Sequence, residues 1–136
     1  LLDNKPIIPQ ETITLVACKS EEEAHYIASL INSSVVQFAA KSYSQEGGKS
    51  MGSMHILENI NIPKFDKDNL LNTNLAQLSQ QAHEAVRANN SVLLKSIEAQ
   101  IDIQAARLWG ISDKELSDIQ KSLQELAGSE HEEKEP

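Results

Sequence analysis

The stretch Glu46-Gly-Gly-Lys-Ser-Met-Gly-Ser-Met-His55 holds the residues of this chain best suited to gripping an anion. Gly48-Lys49-Ser50 has the letters that end a nucleotide P-loop, G-x-x-x-x-G-K-[ST], in which backbone N–H groups cradle phosphates. That motif requires glycine at position 43, where this chain has Tyr. No run of buried apolar residues leads into it as a strand, so a Gly/Ser-rich surface segment is the reading that remains. The histidines at 25, 55, 83 and 131 show no H-E-x-x-H or similar spacing that would hold a metal. His25 and His83 fall on expected helices and read as surface or boundary residues, and only His55, beside the glycines, stays a candidate. Asn61-Ile-Pro-Lys64 lacks the second proline and the aromatic of the Asn-Pro-Pro-aromatic motif that holds an amino group for methylation. No Gly-rich turn after a strand offers a methyl-donor pocket, and no active site is legible.

These residues must be positioned by two regimes of sequence that meet near Asp68. In the first, Thr12-Ile-Thr-Leu-Val-Ala-Cys18 is β-branched and reads as a strand. Ser20 and Glu23 have capping-box spacing, and Ala24, Ile27, Ala28 and Ile31 continue at helical intervals to an interruption at Asn32-Ser-Ser34. Residues 35–43 fit strand or helix by periodicity, and a second helix turning off the first is the preferred reading. Residues 54–59 suggest a short helix, and Ile60-Asn-Ile62 a short strand halted by Pro63.

The second regime has no proline before Pro136 and reads as consecutive helices. Leu71, Leu75, Leu78, Ala82 and Ala85 form one stripe, and Leu94, Ile97, Ile101, Ala105 and Leu108 a second. Gly110 suits a left-handed C′ position. Ser112 and Glu115 make another capping box ahead of Leu116, Ile119, Leu123 and Leu126. Gly128 is expected to end that helix, leaving residues 129–136 as a disordered acidic tail.

The net charge of −8 divides as −3 over residues 1–68 and −5 over residues 69–136, while the stretch from Lys41 to Lys67 is close to neutral. Such a balance argues against a free-standing non-specific nucleic-acid binder. It also directs any anion-binding surface to that middle stretch. The single cysteine, Cys18, rules out an intramolecular disulfide and fits a reducing, cytoplasmic setting. No apolar run is long enough to span a bilayer, and no signal peptide is visible. The chain opens on Leu1-Leu2-Asp3 rather than Met, which suggests a fragment whose catalytic half lies elsewhere.

The order of parts carries a resemblance. Glu22-Glu-Ala-His-Tyr-Ile-Ala-Ser-Leu-Ile-Asn-Ser-Ser34 is followed by Val35-Val-Gln-Phe38, the Ser/Gly-rich stretch, Ile56-Leu57 and Ile60-Asn-Ile-Pro-Lys-Phe-Asp66. Further on come Leu75-Ala-Gln-Leu-Ser-Gln-Gln-Ala-His83 and Leu108-Trp-Gly-Ile-Ser-Asp-Lys-Glu-Leu116. This resembles the C-terminal target-recognition region of N-6 adenine DNA methylases. The group includes the fused Type IIG restriction–modification enzymes, and Type I specificity subunits share the local pattern. The resemblance covers most of residues 12–126. It implies that S-adenosylmethionine and the catalytic motif belong to an upstream methyltransferase domain, and that this part helps choose the double-stranded DNA sequence.

Read against duplex DNA, the stretch 43–55 offers suitable groups. Gly47, Gly48 and Gly52 allow close backbone approach, Lys49 can neutralise a phosphate or donate to guanine, and Ser44, Gln45 and Ser50 can serve base edges. Tyr43 and His55 can pack on a sugar or base, while Lys41 and Lys64 flank the stretch as phosphate contacts. The expected fold is α+β: a partial recognition domain over residues 1–68 with a short sheet, then two or three antiparallel helices over 69–128. Alone, the chain is expected to bind DNA weakly or not at all, because phosphate neutralisation dominates affinity. The alternative is a helical module that pairs with itself or another protein without touching DNA.

Overall fold

A computed structural model describes residues 15–47 and 58–132. Five helices run through them: α1 Glu21–Ile31, α2 Ser34–Gly47, α3 Leu70–Arg87, α4 Ser91–Leu108 and α5 Asp113–Glu132. The described residues contain no strand, which overturns the expected α+β fold with its short sheet. Residues 15–18, the described end of the expected first strand, have no ladder partner, and Leu15 and Val16 are exposed. β-branched residues favour a strand only where a pleated neighbour buries them. Residues 60–62 run without regular structure because side chains meet their backbone groups: the Trp109 Nε1–H donates to the Asn61 carbonyl at 3.2 Å. Of the short helix expected over 54–59, Glu58 and Asn59 are helical and the remainder lies outside the described residues.

Local chemistry sets the helix ends. At α1 the Glu23 N–H donates to Ser20 Oγ at 3.1 Å, as the capping box requires, but the Glu23 carboxylate accepts from the Lys19 N–H, one residue before the cap. At the α1–α2 corner, Ser33 Oγ donates to the Leu30 carbonyl at 2.6 Å and accepts from the Val36 N–H at 3.4 Å. One hydroxyl thus closes α1 and opens α2. The first N–H of α2 is met from far along the chain: Asp102 of α4 accepts from Ser34 N at 2.7 Å and Ser34 Oγ at 2.6 Å. Gln120 of α5 donates to the same carboxylate at 2.9 Å, so one buried side chain joins three helices.

Two Schellman turns separate the later helices. Asn89, at φ 52°, ends α3, with the Asn90 N–H bonded to the Ala85 carbonyl at 2.9 Å. The Asn90 side chain then caps α4 through the Leu93 N–H. Gly110, at φ 67°, ends α4, with the Ile111 N–H bonded to the Ala106 carbonyl at 2.8 Å. The Ser112–Glu115 box is reciprocal as expected, at 3.2 Å and 2.8 Å. Gly128 does not stop α5, which continues to Glu132. A glycine in an exposed helix costs only about 1 kcal/mol, and the neighbouring residues outweigh it.

The core crosses the change in composition near Asp68. Tyr26 and Leu30 of α1 are buried with Leu75, Ala76, Leu78 and Ala85 of α3 and with Ile97, Ile101 and Ala105 of α4. The α3–α4 hairpin thus forms the bed on which α1 lies, and α2 packs against α5. Small alanines at three of these positions let the helix backbones approach closely. No helix among the described residues is long and apolar enough to cross a membrane.

Candidate nucleic-acid interface

The end of α2 at Gly47 changes the setting of the expected contact residues. Lys41, Tyr43, Ser44, Gln45 and Gly47 occupy the last turns of a helix rather than a loop. Tyr43 is exposed there and Lys41 half-buried. Gly48, Lys49, Ser50 and His55 lie outside the described residues, as does Gly52. Lys64 is exposed on the connection between residue 60 and α3.

That connection is held firmly for an irregular segment. The Tyr26 hydroxyl donates to the Pro63 carbonyl at 2.9 Å, and the Phe65 ring meets the Tyr26 ring at 5.4 Å. Burial pushes the Tyr26 phenol up to about 12. The Asp66 N–H donates to Oδ1 of buried Asn72 at 3.0 Å, and Trp109 holds Asn61 at the other end. Irregular backbone needs such partners once its polar groups leave water. Here α1, α3 and the end of α4 supply them.

A second constellation was not legible in the sequence. His25 of α1 and His83 of α3 meet edge to face at 5.2 Å, with Ser79 between them. The Ser79 carbonyl can only accept, so His83 Nδ1, 2.8 Å away, carries the hydrogen. His25 Nδ1 lies 3.0 Å from Ser79 Oγ, and its Nε2 lies 3.8 Å from the Glu21 carboxylate. The only sequence trace of this is the four-residue step from Ser79 to His83.

Ser79 and His83 also border a cleft of about 510 Å³ between α1, α3 and α4, with Ser29, Ala82, Arg87 and Glu98. The trio does not form a nucleophilic site. A serine inside a helix has its neighbouring N–H groups committed to the helix ladder, so donors for an oxyanion are missing. Its evident role is to join α1 to α3.

Among the described residues no group of three His, Cys, Asp or Glu side chains is arranged to hold a metal. They contain no strand ending in a Gly-rich turn either, so they offer no cradle for a methyl donor. No family model matches the chain, and no curated protein or solved structure matches it.

Proposed function

We propose that this chain is a helical, non-catalytic part of the DNA target-recognition apparatus of an adenine-N6 methylase or restriction–modification enzyme. S-adenosylmethionine and the methyl-transfer motif then belong to an upstream domain. The observation that carries the reading is the anchoring on both sides of residues 48–57. Before them, α2 is tied to α4 and α5 through Asp102. After them, residues 61–66 are fixed to Tyr26, Asn72 and Trp109. The described residues on either side of the Gly-rich stretch bearing Lys49, Ser50 and His55 therefore belong to a single helical scaffold. Recognition residues commonly sit on segments presented by such a scaffold. The net charge of −8 then requires most of the basic surface to come from the rest of the enzyme.

The test replaces residues 48–57 with a Gly/Ser linker of equal length in the enzyme that contains this chain. Sequence discrimination in methylation and DNA binding should be lost while helical circular dichroism is kept. An unchanged sequence preference would refute the reading.

A second reading has one observation in its favour. Val86, Val92 and Leu93 are exposed around the α3–α4 turn, as in a helical module that associates with itself or another protein. Sedimentation equilibrium decides it for self-association: a mass that rises with concentration and falls back in Val92→Asp supports that form, and a monomer throughout removes it.

A further inference from the structure

We infer that the cleft between α1, α3 and α4 binds a small apolar molecule carrying an ammonium group. The inference does not depend on the DNA-recognition reading above. The cleft measures about 510 Å³, inside the range of about 300–1,000 Å³ in which ligand pockets fall. Small side chains leave it open: Ala28 and Ser29 line it from α1, and Ser79 and Ala82 from α3. Leu94 and Ile101 of α4 add apolar wall. Val86, at one border, is exposed, whereas Ile101 belongs to the buried core, so the cleft runs from the surface inward.

The polar groups of the cleft mostly accept hydrogen bonds. The Ser29 hydroxyl hydrogen is committed to the Tyr26 carbonyl at 2.6 Å, which leaves the lone pairs of Oγ. Asn32 gives an amide hydrogen to the Ala28 carbonyl at 2.8 Å and keeps Oδ1 to accept. His83 Nδ1 carries the hydrogen bonded to the Ser79 carbonyl, so Nε2 of the neutral ring is an acceptor. Glu98, exposed on α4, can only accept.

Charge points the same way. A smaller recess shares His83 and Arg87 with the cleft and adds Glu21 and Glu84. Together the two hold three carboxylates against the single guanidinium of Arg87, a balance of −2 with the histidines neutral. Among the described residues Arg87 forms no ion pair with any of the three. An ammonium has three N–H donors and no acceptor, so it matches these lone pairs and this field. A ligand carboxylate would meet one donor-only side chain and several acceptors it cannot satisfy. The apolar part of the molecule covers Leu94 and Ile101, where burial is favourable.

The experiment adds phenethylamine, protonated at neutral pH, to this chain labelled with ¹⁵N. Phenethyl alcohol and phenylpropionate serve as neutral and anionic probes of similar size. At millimolar concentrations phenethylamine should shift amides in residues 28–32, 79–87 and 94–101, and it should bind more tightly than either control. Ala82→Leu fills the cleft and should abolish the shifts while helical circular dichroism is kept. Glu98→Gln should weaken phenethylamine by a factor of about two to five, as for an exposed charge pair, and leave the alcohol unchanged. Glu125→Gln, which removes a charge on α5, should change neither. No shift at these amides, binding that survives Ala82→Leu, or a control probe bound as tightly as the amine overturns the inference. Should Ala82→Leu fail to fold, Glu98→Gln and the order of the three probes decide it.

Discussion

Replacing Asp102 with Ala should be the most damaging single polar substitution in the described residues. The carboxylate accepts from Ser34 N at 2.7 Å, Ser34 Oγ at 2.6 Å and Gln120 Nε2 at 2.9 Å, and is only 9% exposed. A hydrogen bond to a charged group contributes about 1.5–3 kcal/mol net, and a buried donor left unpaired costs about 1–3 kcal/mol. Ser34 Oγ and Gln120 can turn to other partners or water, whereas the Ser34 N–H is fixed by the start of α2. The loss should therefore approach the upper end for one charged bond, roughly 3 kcal/mol. Against a typical total of about 5–15 kcal/mol this is large, and it corresponds to a fall in Tm of about 10 °C.

Asp102→Asn keeps one carbonyl for the Ser34 N–H but points an amide at the remaining donors, so about half that loss is expected. Gln120→Ala removes one exchangeable bond and should cost under about 1 kcal/mol. Urea unfolding followed by circular dichroism, and by the fluorescence of the single Trp109, measures all three. A loss below about 1 kcal/mol in Asp102→Ala, or an Asn variant as damaged as the Ala variant, would refute the view that this carboxylate caps α2.

Three more perturbations test the helix ends and the anchored segment. Gly110→Ala meets no atom within 4 Å, so its cost is conformational alone: about 1 kcal/mol for a side chain at φ 67°, read as a lower Tm, and an unchanged Tm contradicts it. Tyr26→Phe loses the bond to the Pro63 carbonyl and should cost about 1 kcal/mol. Because the folded phenol keeps its proton up to about 12, while an unfolded one loses it near 10, wild-type stability should decline across that alkaline window and the Phe variant should lack this part of the decline. The Ser112 N–H, and next the Ser112 hydroxyl, hold the Glu115 carboxyl below its usual range. The stability it gives α5 is present at neutral pH and lost as pH falls through the lowered value. Carboxyl titration by NMR checks this, and an ordinary Glu titration in the wild type would contradict the capping box.

The sequence was most informative where structure is decided within a few residues. The Ser112–Glu115 box, the left-handed Gly110 and the stripes from Leu71 to Ala85 and Leu94 to Leu108 involve neighbours one or two turns apart, and helix formation depends on those same neighbours. The strand readings failed because a strand depends on a partner that local pattern does not contain. Ile60-Asn-Ile62 has strand-like residues, yet its backbone meets Trp109, 48 residues away. Nothing local to Asp102 announces its role, since Ser34 is 68 residues distant. Likewise, nothing local to His25 announced Ser79 or His83. Of the expected contact residues, the helical setting of Lys41 and Tyr43 was legible in the preferred helix over 35–43, whereas the setting of Lys64 depends on Tyr26 and Asn72 holding Pro63 and Asp66.

The cap that Asp102 supplies to α2 also has a consequence in time. On a ribosome adding about 5–20 residues per second, Ser34 emerges several seconds before the carboxylate that completes its helix. Until then α2 lacks the acceptor for its first N–H, and its partner α5 is still unmade. The α1–α2 corner, held only by the local bonds of Asn32, Ser33 and Gln37, must wait through that interval as a nascent turn. Residues 48–57 are thus synthesised before either of the anchors that flank them is complete.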